Sequence, residues 1–325
     1  MTNDSSARMI QKMARGYLSR KEIKIKTIYQ GVIHIQIRGN AASLERFGIF
    51  GIDPERGSRA VDILSIRPDL FYGRVIGGDK LFNVVKVAPF KVVTELDFTS
   101  TELLEMFGPH TTVYINGGFF NSTCYYKDYP EYATIGSTKT STNMAKDIIP
   151  IPEEYKNDYA CLVFNDGSYV SSAPLFSSSG KVAYDANTFK APQYQFKTLN
   201  QRGFKPCPPG ALFHAGDPNP RAGISLPGKE STGEKSHLMT TQNRTRIAVA
   251  TATSRGSNSN GFTMFEWGNT MTRLSRLNRT ESSALNLDGG ASVVMGVINE
   301  GKKIFEVSQN SGGRDASTLI VFSAK

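Results

Sequence analysis

The amino-acid sequence predicts an α+β fold, with twisted, mixed but mostly antiparallel β-sheets flanked by a few short helices. Short segments rich in β-branched and aromatic residues recur along the 325-residue chain, while candidate helices are few and short. Strand and helix patterns do not alternate regularly, which argues against a doubly wound parallel sheet. The predicted body spans residues 29–325, and an amphipathic helix within residues 1–28 is predicted to precede it.

The first predicted element is this basic N-terminal helix. Over residues 6–21 a helix would place apolar side chains on one face at three- and four-residue spacing, namely Ile10, Met13, Ala14, Tyr17 and Leu18. Residues 1–26 hold seven basic and two acidic side chains, so they carry +5 of the chain's net charge of +9. The rest of the chain is nearly neutral and has no nucleic-acid-binding motif, so we expect no nucleic-acid partner.

The first half of the body is predicted to be mostly strands. Residues 99–108 predict a short helix, because Ser or Thr is available as its N-cap and Gly108 as its stop. An Asp-Gly pair predicts the turn of a hairpin over 159–170. Further strands are predicted at 31–37, 60–66, 82–93 and 111–120, the last of which breaks at two glycines.

The second half begins with a loop-rich insertion over about 121–243, where Ser, Thr, Asn, Pro and Gly predominate. Its stretch 214–243 is expected to be a mobile surface loop. Regular structure is predicted to resume with strands at 246–252 and 261–267 and a helix that carries Met271, Leu274 and Leu277. The last strands are predicted within 284–298 and at 316–323.

Several features predict a cytoplasmic chain without a membrane span. No apolar run is long enough for a transmembrane helix, and the N-terminus lacks the apolar stretch and cleavage site of a secretory signal. The cysteines, Cys124, Cys161 and Cys207, are far apart and indicate free thiols in a reducing compartment.

Two strand-to-turn segments contain the polar residues best suited to chemistry. In "NLDGGAS" (286–292) Asp288 precedes two glycines, which allow a tight turn or a close approach of a ligand. The alternative for this stretch is an ordinary β-turn. "YINGGFF" (114–120) repeats the design with Asn116, so we expect the two turns to line one cleft.

Charged residues elsewhere extend this hypothesis. Arg246 and Arg314 are candidates for binding an oxyanion, since a guanidinium donates two parallel hydrogen bonds to a phosphate. Glu266 is a weaker candidate for a second carboxylate, and the alternative is a surface strand residue. The four histidines have no metal-binding spacing. Asn286 and Asp288 offer oxygen ligands that suit a divalent cation, and no other cofactor is expected.

Four segments in this order resemble the phosphodiester glycosidase family: "FGPHTTVYINGGFF", "RTRIAVATA", "ALNLDGGASVVM" and "GGRDASTLIVF". The resemblance extends over about residues 31–323 and is general in character over 121–240. It implies catalytic roles for Asp288, Arg246, Arg314 and Asn116. It implies a substrate-binding set of Gly117, Gly118, Asn286, Gly289, Gly290 and Ser292. Ala250 and Ala291 depart from the family pattern, which has glycine at both positions.

The activity that the resemblance implies is hydrolysis of a sugar 1-phosphodiester or nucleotide-linked sugar. Arg246 and Arg314 would hold the phosphate, assisted by N–H groups of the two glycine turns. Asp288 would act on the anomeric carbon, either as nucleophile or as base for an attacking water. The alternative function is a catalytically inactive module that binds sugar phosphates or nucleotides.

The segment "MIQKMARGYLSRK" (9–21) resembles the IQ motif, through Ile10, Gln11, Arg15, Gly16 and Arg20. The resemblance implies calmodulin or a calmodulin-like protein as partner, since a basic amphipathic helix suits an acidic, apolar-grooved protein. The alternative is a helix that packs on the protein's own sheet. A calmodulin partner implies a eukaryotic cytosol, reached by a host-made protein or by an effector that an intracellular bacterium delivers.

Overall fold

Two β-sheets packed face to face form the centre of the molecule, and helices cover their outer faces. The computed structural model describes residues 22–49, 51–77, 99–121, 127–129, 133–140, 148–151, 159–176, 216–227, 231–233, 236–240, 247–253, 261–277, 282–308 and 316–325. Within these ranges the fold is α+β, with mostly antiparallel sheets and few short helices, as the sequence predicts.

The larger sheet has seven strands, and all of its pairings are antiparallel. Its strands are β1 (Ile23–Tyr29), β2 (Val32–Gly39), β3 (Arg59–Ile66), β11 (Leu175–Phe176), β12 (Arg221–Pro227), β15 (Ile247–Thr253) and β16 (Ser282–Asn286). Their spatial order is β1-β2-β3-β15-β12-β16-β11. Every residue of β3 is buried, because both faces of the sheet are covered.

The second sheet has five strands: β4 (Phe71–Gly77), β5 (Thr112–Asn116), β17 (Val294–Asn299), β18 (Lys302–Ser308) and β19 (Thr318–Ala324). They are all antiparallel to their neighbours, in the order β18-β17-β5-β19-β4. A third sheet, of five shorter strands, contains β7 (Thr138–Lys139), β9 (Ala160–Val163), β10 (Tyr169–Ser172), β13 (Ser231–Gly233) and β14 (Ser236–Thr240), and a two-stranded sheet contains β6 (Thr134–Ile135) and β8 (Ile148–Ile149). Two pairings there, β6 with β8 and β14 with β9, are parallel.

Three apolar clusters hold these layers together. One lies between the two large sheets and includes Leu64, Ile224 and Ile320. On the other face of the seven-stranded sheet, α1 (Ala41–Arg46) and α3 (Met264–Leu277) contribute to a second cluster. The outer face of the second sheet packs against α2 (Ser100–Phe107) in a third apolar cluster. The result is a helix–sheet–sheet–helix arrangement.

The short helix α2 forms where the sequence predicts it. Thr99 is its N-cap and Glu102 completes a capping box, with each side chain accepting from the other residue's backbone N–H. Gly108 ends the helix with φ of 78°, a conformation that favours glycine. The hairpin predicted over 159–170 is also confirmed, as β9 and β10 flank a turn with Gly167 at φ of 77°.

Three predictions about the elements were wrong. Residues 23–28, placed in the N-terminal segment 1–28 before the predicted body, belong to β1, in which isoleucine and lysine alternate. Residues 221–227, expected in a mobile loop, form β12 between two neighbours inside the larger sheet. Residues 264–267, expected in a strand, open α3, where the local capping contacts of Glu266 outweigh an alternating apolar pattern.

Other predictions fall outside the described residues, namely the helix over 6–21 and the strand over 82–93. No helix in the part of the chain that the structure describes is long and apolar enough to cross a membrane.

Candidate functional site

The two glycine turns singled out from the sequence lie against each other. One follows β5 of the second sheet, and the other follows β16 of the larger, seven-stranded sheet. The backbone N–H of Asp288 donates to the Gly117 carbonyl over 3.0 Å. In return, the Asn116 side-chain amide donates to the Asp288 carbonyl over 2.8 Å. The two turns, which were expected to line one cleft, thus meet in a direct backbone contact between the sheets.

Asn116 holds the Asp288 turn at both of its ends. While its Nδ2 donates to the Asp288 carbonyl, its Oδ1 accepts from the Val294 N–H over 3.2 Å. Between these two points the chain makes a short 3-10 helix, Gly290–Ser292. Asn116 has no exposed surface, and both polar atoms of its side chain bond to the backbone of the turn.

The turn that Asn116 holds carries the carboxylate of Asp288. Asp288 is half-buried, and its Oδ1 accepts the N–H of Gly289 over 2.9 Å. Asn286, the last residue of β16, is buried and donates its amide to the carbonyls of Ala173 and Leu287. Its role in the described structure is to fix the backbone that leads into the turn.

The glycines of the two turns are required for close packing. A β-carbon on Gly117 would overlap the Thr318 side chain, and one on Gly118 would overlap the Ser171 carbonyl. Gly289 faces Pro220, whose oxygen would lie 2.9 Å from an added β-carbon. Gly290 instead has open space around it and a φ of 64°, the left-handed region.

Most N–H groups of these glycines already have acceptors inside the protein. Gly117 donates to Thr318, Gly289 to the Asp288 carboxylate, and Gly290 to Pro220. The expectation that both turns offer their N–H groups to an anion therefore fails at these three positions. An anion at these turns would therefore depend on side chains for its hydrogen bonds.

Arg221 is a cation beside this turn that the sequence analysis missed. It begins β12, it is only 3% exposed, and its Nη1 would lie 3.9 Å from a β-carbon on Gly289. Its Nε donates to the Phe262 carbonyl over 2.9 Å and its Nη2 to the Asp217 carbonyl over 3.0 Å. The sequence does place this arginine directly before the segment Ala-Gly-Ile-Ser-Leu, which could have indicated a strand. That segment was instead predicted to be part of a loop.

Burial lowers the pKa of Arg221 to about 10, although the nearby carboxylates of Asp217 and Glu266 oppose this shift. The guanidinium is therefore charged at neutral pH in a poorly solvated place. A cation held in this way interacts strongly with an anion that reaches the turn, because little water screens it.

Glu266 is neither a surface residue nor a strand residue. It lies in the first turn of α3, it is 2% exposed, and its Oε1 pairs with Arg59 Nη1 over 2.8 Å. Its carboxylate is thus occupied by protein donors, and it is not placed as a partner carboxylate for Asp288.

The remaining predicted site residues divide into two groups. Ser292 is buried and closes the 3-10 turn, with its N–H 3.3 Å from the Gly289 carbonyl. Arg246 and Arg314 lie outside the described residues, as do Ile10, Gln11, Arg15, Gly16 and Arg20 of the IQ-like segment. Within the described ranges, no three His, Cys, Asp or Glu side chains are grouped as a metal site.

No protein-family model and no curated protein matches the chain. A hypothetical protein from Synechocystis is similar in structure, with a TM-score of 0.47, 12% identity and 93% of this chain covered, and the chain spans 64% of that protein's length. The catalytic domain of zebrafish N-acetylglucosamine-1-phosphodiester alpha-N-acetylglucosaminidase, auto-inhibited by its pro-peptide, has a TM-score of 0.46 and 11% identity. That comparison covers 94% of this chain and 88% of the zebrafish domain. A Burkholderia pseudomallei protein named as exported has a TM-score of 0.45 and 11% identity, over 93% of this chain and 96% of that one.

Proposed function

We propose that the chain is a hydrolase that cleaves the glycosidic bond of a sugar 1-phosphodiester or a nucleotide-linked sugar. The observation that carries the proposal is the contact between the two glycine turns, in which Asn116 fixes the backbone of Asp288. These are two of the four segments through which the sequence resembles the phosphodiester glycosidase family. A half-buried carboxylate on a rigid turn suits a reaction that develops positive charge at a nearby carbon.

In the proposed reaction, Asp288 acts at the anomeric carbon by one of two routes. As nucleophile it forms a bond to that carbon while the bond to the phosphate oxygen breaks, and water later displaces the carboxylate. As general base it takes a proton from a water molecule that attacks the carbon directly. In both routes the bonding electrons leave with the phosphate group, which is a good leaving group and needs little help from an acid.

The phosphate is proposed to bind the arginines. Arg246 and Arg314 have this role through the resemblance, and Arg221 supplies a further positive charge beside Gly289. Because the N–H groups of Gly117, Gly289 and Gly290 bond within the protein, these cations carry most of the proposed recognition. A guanidinium fork suits a phosphate better than an ammonium does.

The experiment is turnover of UDP-, GDP- and ADP-linked sugars and GlcNAc phosphodiesters, with products identified by mass. We expect at least one substrate to release free sugar, and we expect Asp288→Asn to abolish turnover with binding retained. Asp166→Asn is the matched control, since Asp166 also accepts a local N–H, that of Ser168, but lies in the β9–β10 turn. The anomer released, followed by NMR, distinguishes the two routes of Asp288.

The competing function is a binding module without activity. Binding of the same compounds without turnover of any of them, in wild type and Asp288→Asn alike, would favour it. Wild-type turnover in Asp288→Asn would remove this residue from the mechanism.

We also propose that residues 7–21 bind calmodulin or a calmodulin-like protein and regulate the enzyme. The support is the match to the IQ motif at Ile10, Gln11, Arg15, Gly16 and Arg20, together with the +5 charge of residues 1–26. The test mixes the purified chain with calmodulin, in calcium and in chelator. Loss of the complex in Ile10→Ala with Arg15→Ala supports the motif, and no complex in either condition contradicts it.

A further inference from the structure

A bridging segment, residues 219–222, connects the Asp288 turn to the start of α3. On one side, the Pro220 carbonyl accepts from the Gly290 N–H over 3.0 Å and the Ala222 carbonyl from the Leu287 N–H over 2.9 Å. On the other side, Asn219 exchanges two backbone hydrogen bonds with Phe262, over 2.9 and 3.2 Å. One continuous piece of backbone therefore hydrogen-bonds to both Phe262 and the Asp288 turn.

Phe262 also holds the Arg221 side chain. Its carbonyl accepts from Arg221 Nε over 2.9 Å as well as from the Asn219 N–H. The neighbouring Gly261 allows this approach, because a β-carbon there would overlap the Asn219 backbone. The position of Arg221 beside Gly289 thus depends on where the chain runs at 261–262.

Glu266 fixes that part of the chain from two directions. Its Oε2 accepts from the Thr263 N–H over 2.8 Å, directly after Phe262. Its Oε1 accepts from Arg59 Nη1 over 2.8 Å and from the Asp53 N–H over 2.9 Å. The Arg59 guanidinium carbon in turn lies 5.3 Å from the centre of the Phe262 ring.

A helix cap alone would not need this arrangement. Thr263 and Glu266 form a capping box by themselves, since the Thr263 hydroxyl also accepts from the Glu266 N–H. The buried pair with Arg59 adds charges that have lost their hydration, and apolar residues often replace such pairs without loss of stability. What the pair adds is a fixed location for Phe262 between α3 and the bridging segment.

We propose that Glu266, together with Arg59, is a positioning residue of the candidate site that acts through Phe262 on Arg221 and the Asp288 turn. Its kinetic consequence rests on the proposed function. Arg221 would contact the phosphate in the bound substrate and in the transition state alike, so misplacing it should raise KM and leave kcat nearly unchanged.

The test compares Glu266→Gln with Glu102→Gln, because Glu102 completes the equivalent capping box of α2, on the far side of the molecule. Amide exchange is measured at Leu287 and Gly290, whose N–H groups bond to the bridging segment. We expect Glu266→Gln to speed exchange there by about tenfold or more relative to Glu102→Gln. With an active substrate, we expect KM to rise on the order of tenfold and kcat to stay within about twofold.

Glu266→Gln leaves the Arg59 charge buried without its ion-pair partner, so a second variant guards against misfolding. Arg59→Leu with Glu266→Gln removes both charges and keeps an acceptor for the Thr263 N–H. We expect this double variant to show the same faster amide exchange at Leu287 and Gly290 as Glu266→Gln. Unchanged exchange at Leu287 and Gly290 in both variants would overturn the proposal and leave Glu266 as a helix cap only. If the wild type turns over no substrate, the proposed function fails while the exchange result still decides the role of Glu266.

Discussion

Asn116 shows how a single side chain connects the two sheets. It has no exposed surface and bonds to the backbone on both sides of the Asp288 turn. Removing it takes a partner from the buried Val294 N–H and from the carbonyl of half-buried Asp288, at a cost of about 1–3 kcal/mol for the buried group and less for the half-buried one.

Asn116→Ala is accordingly expected to lower the free energy of unfolding by about 2–4 kcal/mol. Asn121→Ala is the control, because Asn121 is equally buried and has a described amide contact with the Tyr129 carbonyl, remote from Asp288. Urea unfolding measures both variants. If both variants lose the same free energy of unfolding, the contact between the turns contributes no more to stability than another buried asparagine does.

The two glycines after Asp288 should respond differently to alanine. Gly289→Ala would push its β-carbon against the Pro220 carbonyl, which is also the acceptor of Gly290. Gly290→Ala meets no atom within 4 Å and has only the strain of a φ of 64°, about 1–2 kcal/mol. We expect Gly289→Ala to lose activity or ligand binding by tenfold or more while Gly290→Ala retains most of it. The reverse order in a binding titration would contradict this geometry.

Arg221 is expected to contribute to binding more than to stability. Because its pKa is lowered to about 10, keeping this charge inside the folded protein opposes folding by roughly 3 kcal/mol at neutral pH. Arg221→Met removes that penalty but leaves the carbonyls of Phe262 and Asp217 without this donor. These effects offset, so we expect the free energy of unfolding at pH 7 to change by less than about 2 kcal/mol while phosphate-ligand affinity falls at least tenfold.

The sign of the pH dependence provides a further check on Arg221. Because its folded-state pKa is lower than its unfolded one, the folded state releases this proton first as pH rises through about 10. The wild type should therefore gain stability relative to Arg221→Met above pH 10, and the two should run parallel below it. Ligand affinity of the wild type should decline over the same alkaline range.

At the scale of elements, local signals were enough where an element's ends are set by its own residues. Thr99, Glu102 and Gly108 define α2, whose bounds lie within a residue of those predicted from the sequence. For α3 the equivalent pair, Thr263 and Glu266, was present in the sequence, but the alternating apolar residues before Gly268 suggested a strand.

Strand β12 could not be predicted locally, because its identity comes from its neighbours. Gly223 and Ser225 would suit a loop, yet Gly223 is needed where Met271 of α3 lies 2.9 Å from an added β-carbon. Arg221 was missed with the strand, since its burial beside Gly289 follows only once β12 is placed between β15 and β16. The meeting of the two Asn/Asp-Gly-Gly turns, in contrast, was predictable because both lie at strand ends.

Three residues that face one another across neighbouring strands of the second sheet provide a test at the scale of elements. Gly296 of β17 pairs with Tyr114 of β5 on one side and Glu306 of β18 on the other. The Tyr114 hydroxyl passes over the glycine and donates to Glu306 over 2.6 Å, and burial beside this carboxylate raises the Tyr114 pKa.

Gly296→Ala would overlap the Tyr114 hydroxyl, so we expect it to reduce the free energy of unfolding by about 1–3 kcal/mol, as overpacking does. Tyr114→Phe should relieve part of that loss by removing the overlapping oxygen. Thermal unfolding of the two single variants and the double variant measures the coupling. Simple additivity in this cycle would show that the three residues do not act as one unit.

At the scale of the whole molecule, the helix–sheet–sheet–helix arrangement makes the contact between the sheets the natural place for a site. The Asp288 turn follows a strand of the larger sheet and Asn116 lies in the second sheet, so the candidate site is complete only when the two sheets are packed together. The cluster between the sheets, which includes Leu64, Ile224 and Ile320, therefore stabilises the fold and the proposed site together.

Two truncations test where the fold begins and what residues 1–21 do. Deleting residues 1–21 keeps β1, whereas deleting 1–29 removes Ile23, Ile25 and Ile28, which pack against the two clusters of the larger sheet. If the IQ-like segment binds a partner, the first truncation should lose calmodulin binding and keep the wild-type unfolding midpoint. The second should lose about 2–4 kcal/mol, from three partly buried isoleucines at about 1 kcal/mol each. A lower midpoint in the first truncation would instead favour a helix packed on the protein's own sheet, and calmodulin would then compete with that packing.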